Sequence, residues 1–355
     1  MNPLLKNLLL GEIIVLLVIV SLIAGHALLL SFRERRRMVP NRVALDALAM
    51  ASVGGADARM RAVGLLSRTR RSLRIQALLD VALVVEGRAR AELREVADEL
   101  GITRDAHRLL HHRRWWKRVT GARVLMGLGE APRVDLLDDE RIEVQQVAIA
   151  WISEADDPPA LDRLVRFAGA AIPLLRFVAQ DSLLRLGPTA MPPLRNRLEQ
   201  LSGIHRPDER QTVEILALLE VAEGMGDPEL TEAALPFMSN GSAQVRASAV
   251  GVMAAFGGRK NERRAAGALS DIDPLVRAAA ARALGSMGAW KNGHVVRDHL
   301  SDRDPLVRRE AAIALGRMGP VGRILLRDAA SWDGPGASLA AQMLEVQGPV
   351  GQVTR

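Results

Sequence analysis

The chain contains no cysteine and no tyrosine. Without cysteine there is no disulfide framework, no thiolate metal site and no cysteine nucleophile, and the redox compartment is left open. Aromatic residues are few, five Phe and five Trp in 355 residues, so the core has to be built from alanine and leucine. Lysine is scarce as well, 4 against 44 arginines. The alternating β-branched pattern of half-buried strands is missing. So are a glycine-rich phosphate loop, a Gly-x-Ser-x-Gly elbow, His-Glu-x-x-His and a paired-carboxylate motif. His107 and His111 share helical i, i+4 spacing, but no carboxylate stands where it would complete a metal site. The sequence therefore offers no catalytic group, no cofactor site and no metal site, and reads as non-enzymatic.

What the chain does have is a repeat. Arg246, Arg277 and Arg308 are spaced by 31 residues, each preceded by Val and followed eleven residues later by Gly257, Gly288 or Gly319. Leu-Ser-Asp-x-Asp-Pro-Leu-Val-Arg occurs at 269–277 and again at 300–308. A period of this length without strand alternation denotes a helix pair per repeat, stacked so that neighbours supply the core. Asp273-Pro274 and Asp304-Pro305 read as a helix N-cap followed by proline at the first helical position. Arg277 and Arg308 lie four residues after those caps, so an Asp–Arg contact is expected, within a repeat or between repeats. Asp273, Arg277, Asp304 and Arg308 are thus structural candidates, and the pairs Asp271/Asp273 and Asp302/Asp304 read as junction residues rather than a divalent-metal site.

Weaker copies extend the phase to Arg118, Gln145, Arg176, Gln211 and, at the far end, Ala337. The two glutamines should interrupt the arginine series.

Asp-Pro-Leu-Val-Arg, Ala-x-Ala-Leu-Gly and the closing glycine resemble the HEAT repeats, in particular the short bacterial kind named after phycobilisome lyases. The resemblance implies an α-solenoid that binds partners, with the second helix of each pair on the concave face. Lys260 and Lys291 share a phase on those helices, followed by Arg263 and His294, and are candidate partner-binding residues, with a solvated face as the competing reading.

Residues 13–32 form an apolar run interrupted only by Ser21, Gly25, His26 and Ser31. At about 1.5 Å per residue it spans roughly the 30 Å of a bilayer core. Arg33, Arg35, Arg36 and Arg37 follow at once, while only Lys6 precedes it. The positive-inside rule then places the amino terminus outside and the array in the cytoplasm, at the inner membrane. A cleaved signal peptide fits less well, because its basic charge belongs on the other side. Glu12, Ile19, Ile23 and His26 fall near one face of this helix. They either meet another membrane protein or place Glu12 and His26 at the headgroups.

Charge is uneven. Residues 33–123 hold 21 Lys/Arg against 10 Asp/Glu, a balance of +11, while residues 124–355 hold 26 against 30, a balance of −4. The basic residues gather in two clusters: Arg68, Arg70, Arg71 and Arg74, then His107 to Arg118 with Arg113, Arg114, Lys117, Arg118, Trp115 and Trp116. Three readings compete for them. Anionic lipid headgroups suit a basic surface beside a membrane. Nucleic acid suits the same composition, although a membrane tether disfavours it. A solvated face with both Trp packed between repeats is the third.

The expected architecture is all-α: a short segment 1–12, a transmembrane helix 13–32, a basic helical neck 33–101, an α-solenoid array 102–348 and a tail 349–355. In layout the chain looks like the bacterial proteins, with one amino-terminal membrane helix and a cytoplasmic HEAT-like array, that often accompany inner-membrane family-2 glycosyltransferases making secreted polysaccharides. The layout therefore implies a membrane-anchored scaffold with such a partner. The family name implies a bilin lyase or chaperone instead, and the basic Trp-bearing segment a HEAT-like DNA glycosylase. The membrane anchor argues against both.

Overall fold

The computed structural model describes residues 43–82, 84–154 and 158–347, and among them every regular element is helical. The chain is all-α, as the repeat predicts. It divides into two compact units, Met1–Ala131 and Pro132–Arg355. No helix among the described residues is long and apolar enough to cross a membrane. The predicted span 13–32, with Glu12, Ile19, Ile23 and His26, lies outside the described residues, as does the tail 349–355.

In the first unit, α1 (43–67) carries a left-handed residue at Gly55, φ +70°. α2 (Arg71–Ala82), α3 (Gly87–Glu99), α4 (Ile102–Leu110) and α5 (Trp115–Gly127) follow. Leu93, Val96, Ile102, Ala106, Leu110, Ala122 and Leu125 are buried. Gly121 permits the α4–α5 contact: a Cβ there would stand 2.6 Å from the carbonyl oxygen of Ala106. α4 and α5 group with this unit, whereas the sequence set the boundary of neck and array at Gly101.

The second unit runs α6 (Ile142–Ser153), α7 (Pro158–Phe167), α8 (Pro173–Leu186), α9 (Met191–Ser202), α10 (Glu209–Met225), α11 (Pro228–Ala234), α12 (Ala243–Phe256), α13 (Arg259–Ala268), α14 (Pro274–Ser286), α15 (Gly293–Asp298), α16 (Pro305–Arg317), α17 (Gly319–Ala330) and α18 (Pro335–Gln347). Each even-numbered helix packs on the next even-numbered one, and α7, α9 and α11 likewise pack in series. This is the solenoid-like stacking that a repeat unable to bury its own apolar face requires. Its core is small-residue: Val276, Ala280, Ala281, Leu284, Ala311, Ala314, Leu315 and Leu326.

Every predicted phase residue falls third or fourth in a helix. The glycines eleven residues beyond the arginines (Gly129, Gly187, Gly257, Gly288 and Gly319) all have positive φ, a conformation that ends helices without a Cβ penalty. One phase is displaced. Gly226, φ +60°, closes α10, and eleven residues before it stands Ile215, not Gln211. Leu218, Leu219, Val221 and Ala222 are buried at the same offsets from Ile215 as Ala280, Ala281, Ala283 and Leu284 from Arg277. The helix has gained a turn at its start, closed by an Asp208–Gln211 capping box. The 31-residue step to Arg246 is therefore kept.

Candidate functional site

The arginines at the repeat phase act first as clamps on the preceding loop. Nη1 of Arg277 donates to the carbonyls of Asp271 and Ile272 at 3.0 Å each. Arg246 does the same to Asn240 and Gly241, Arg308 to Asp302 and Arg303, and Arg176 to Ala170. In the first unit Arg118 holds His112 and Arg113 in this way. Gln145 is shorter and reaches only the carbonyl of Leu137, 3.0 Å.

The Asp–Arg contact runs between repeats, and its acid is not the capping residue. Nε and Nη2 of Arg246 pair with Asp271 at 2.9 and 2.8 Å, and those of Arg277 with Asp302 at 2.8 Å. Hydrogen bonds from these guanidinium groups, against the opposing effect of burial, hold both carboxyls below their usual range. Asp273 and Asp304 instead cap α14 and α16, accepting from Leu275 N–H at 2.9 Å and Leu306 N–H at 2.8 Å. Arg308 forms no such rung, and its Nε is buried without a partner. Asp333 occupies the matching place, but Pro335 follows it one residue sooner than Pro305 follows Asp302.

The basic residues separate by environment. Arg68 and Arg70 are exposed, while Arg71 pairs with Asp105 at 2.5 Å and Nε of Arg74 is buried. Arg118, 9% exposed, cannot meet a lipid headgroup, because it is spent on the loop carbonyls. Arg113 and Arg114 are exposed and Lys117 half-buried. Trp116 is 48% exposed, so the reading with both Trp packed between repeats fails there. No cluster of three or more metal-ligating side chains occurs among the described residues.

Lys260 and Arg263 lie exposed on α13, Lys291 in the 3-10 turn before α15, and His294 on α15. Lys260 pairs with Glu232 at 2.9 Å, and Lys291 lies 5.5 Å from the Trp290 ring. The neighbouring Asn261 is structural: it is buried and donates to the carbonyl of Gly257 at 2.9 Å.

A groove the sequence did not reveal crosses the first-helix face, about 470 Å³, lined among others by Leu216, Gly251, Ala254, Leu275 and Ala279. Its rim carries Glu223, Arg282 and Arg317. Gly251 makes room for the acid, since a Cβ there would stand 2.6 Å from Glu223 Oε2. Desolvation raises the Glu223 carboxyl above its usual value, Arg282 opposes this and Glu220 adds to it. Arg282 also donates to the buried Glu310 at 3.3 Å. The readable signal was Gly251, a poor helix former inside an otherwise strong helix. The groove can take small apolar side chains between charges of opposite sign.

Stacked helix pairs, with an arginine clamping the loop ahead of α5, α8, α12, α14 and α16, form a HEAT-like repeat array. Residues 261–344 match the family model described as HEAT repeats. Among solved structures the chain is similar to an engineered protein (18% identity, 86% of this chain and 94% of that one, TM-score 0.37). It is similar also to a karyopherin bound to the extreme C-terminus of a protein phosphatase (12% identity, 85% of this chain, TM-score 0.49), of which it spans 41%. A third similar structure is the complex of CpcE and CpcF of phycocyanin lyase from Nostoc sp. (18% identity, 69% of this chain and 94% of that one, TM-score 0.34). No curated protein matches the chain.

Proposed function

We propose that this protein is a non-enzymatic scaffold, anchored in the inner membrane by residues 13–32, whose cytoplasmic array holds a protein partner. The observation that carries the reading is the first-helix groove, apolar in its floor and charged at its rim. Interfaces of this make-up desolvate small apolar anchors while the rim charges select register. The occupant that fits is a segment of small apolar residues with a basic group facing Glu223 and an acidic one facing Arg282 and Arg317. Its source, on the layout of anchor and array, is an inner-membrane polysaccharide glycosyltransferase. The exposed face at Lys260, Arg263, Lys291 and His294 provides a second contact, and the basic first unit faces anionic lipid.

Affinity capture from native membranes tests this, with the full chain set against Ala279→Arg, which fills the groove floor. A membrane glycosyltransferase should co-purify with the parent protein and be lost from the variant, at unchanged melting temperature. The same partners with both proteins, or no glycosyltransferase with either, would overturn the reading.

A further inference from the structure

We propose that the cleft at the start of α5 is a binding site for a phosphate-ester oxyanion, built by His112, Arg113, Arg114 and Lys117. This deepens the lipid-facing reading and rests on it only for where the phosphate comes from.

Two donors facing each other point to the ligand. Nδ1 of His112 accepts the backbone N–H of Arg114 at 3.0 Å. An imidazole that accepts at Nδ1 carries its proton on Nε2, which is then a donor. The Lys117 ammonium, which has donors only, stands 3.3 Å from that Nε2. Neither proton has an acceptor in the other, and one phosphate oxygen placed at the cleft satisfies both.

The charges agree with the hydrogen bonding. Those acting on His112 are the cations Lys117, Arg114, Arg113 and Arg118; together with desolvation, the largest influence, they lower the imidazole pKa. Among the described residues, Arg113, Arg114 and Lys117 pair with no carboxylate. Elsewhere in this unit Arg71 pairs with Asp105, and Arg59 with Glu92, Glu95 and Glu99. Three uncompensated cations beside a neutral donor suit a group with several anionic oxygens better than a carboxylate with two.

The cleft is also fixed in shape. The buried Arg118 donates to the carbonyls of His112 at 3.0 Å and Arg113 at 3.2 Å, which pins the loop that presents them. The Arg114 guanidinium lies 5.4 Å from the Trp116 ring, and Trp116 meets Trp115 edge-on at 6.0 Å. His112, Arg113, Arg114 and Lys117 line about 570 Å³ of open space, enough for a phosphate and the start of its ester substituent. A site ordered in advance loses little side-chain freedom on binding.

The test uses the full chain in neutral detergent at about 150 mM salt, where diffuse attraction is screened. Inorganic phosphate, glycerol 3-phosphate and short-chain phosphatidic acid are titrated, with short-chain phosphatidylcholine as control, and followed by tryptophan fluorescence and calorimetry. Saturable binding of a phosphate-bearing probe is expected. Replacing Arg113, Arg114 and Lys117 together with Gln should weaken it about tenfold or more. Replacing the exposed Arg68, Arg70 and Arg123 with Gln removes the same charge and should change it less than about twofold. Similar affinity for glycerol 3-phosphate and phosphatidic acid assigns a free phosphate ester and removes the lipid reading alone. A strong preference for phosphatidic acid assigns the headgroup. Absence of saturation with every phosphate probe, equal loss in both variants, or displacement by duplex DNA at equal phosphate concentration would each sink the site. Both variants alter exposed or half-exposed side chains and leave Arg118 in place, and circular dichroism checks that they fold.

Discussion

At the residue scale, an arginine such as Arg277 does two jobs. Its Nη1 closes a loop by satisfying carbonyls that no helix can pair, and its Nε and Nη2 reach the next repeat's aspartate. The aspartate is fixed in turn by accepting the N–H of the capping residue, Asp304, at 2.9 Å. Asp302→Ala should therefore cost about 1.5–3 kcal/mol, the range for hydrogen bonds to charged groups. Asp304→Ala, which removes a cap alone, should cost roughly 0.5–2 kcal/mol. The folded pKa of Asp302 is depressed, so its contribution is present above the unfolded value of about 3.9 and lost as pH falls through the folded value. Urea unfolding at neutral pH should separate wild type from Asp302→Ala, and the two should converge in strong acid. A difference that persists undiminished in acid would show that the ion pair is not its source.

At the scale of elements, the glycines divide by what surrounds them. Gly285 lies where α14 crosses α16, and a Cβ there would stand 2.6 Å from the Ala314 Cα. Ala in a helix gains about 0.5–1 kcal/mol over Gly, but two backbones cannot separate without opening the core, and overpacking costs about 1–3 kcal/mol. Packing wins, so Gly285→Ala should lower the melting temperature. Gly267, in α13, meets nothing within 4 Å. Gly267→Ala should raise stability by about 0.5–1 kcal/mol. Thermal melts of the two single variants should move in opposite directions, and a common direction would refute the close-contact account. α10 belongs at this scale too. Its added turn sets Gln211 one turn ahead of the phase position, which Ile215 takes.

At the scale of the whole molecule, a stacked array is held by nearest neighbours, so damage should stay local. In native-state hydrogen exchange, Arg277→Ala should lower protection most in α12, α14 and α16, with the effect fading towards α6 and α8. Uniform loss across Pro132–Arg355 would mean that the unit opens as one block. The same stacking makes the groove. Its walls come from α10, α12, α14 and α16, and no single repeat contains it.

The 31-residue clock, the Asp-Pro caps and the closing glycines were legible because they are local in the chain: a cap or a left-handed glycine acts on residues within one turn. The all-helical class followed from them, as did the small-residue core. Which aspartate each arginine meets was not legible, since Arg277 and Asp302 are 25 residues apart and are joined only by stacking. Nor was the loss of Arg118 from the exposed basic surface, because a guanidinium turned onto its own loop has the same sequence neighbours as one turned to solvent. Glu223, Gly251 and Arg282 come from three different helices, and only packing gave them a common groove. Sequence determined which elements form and where they stop; the tertiary structure decided which charges are spent and which remain to bind.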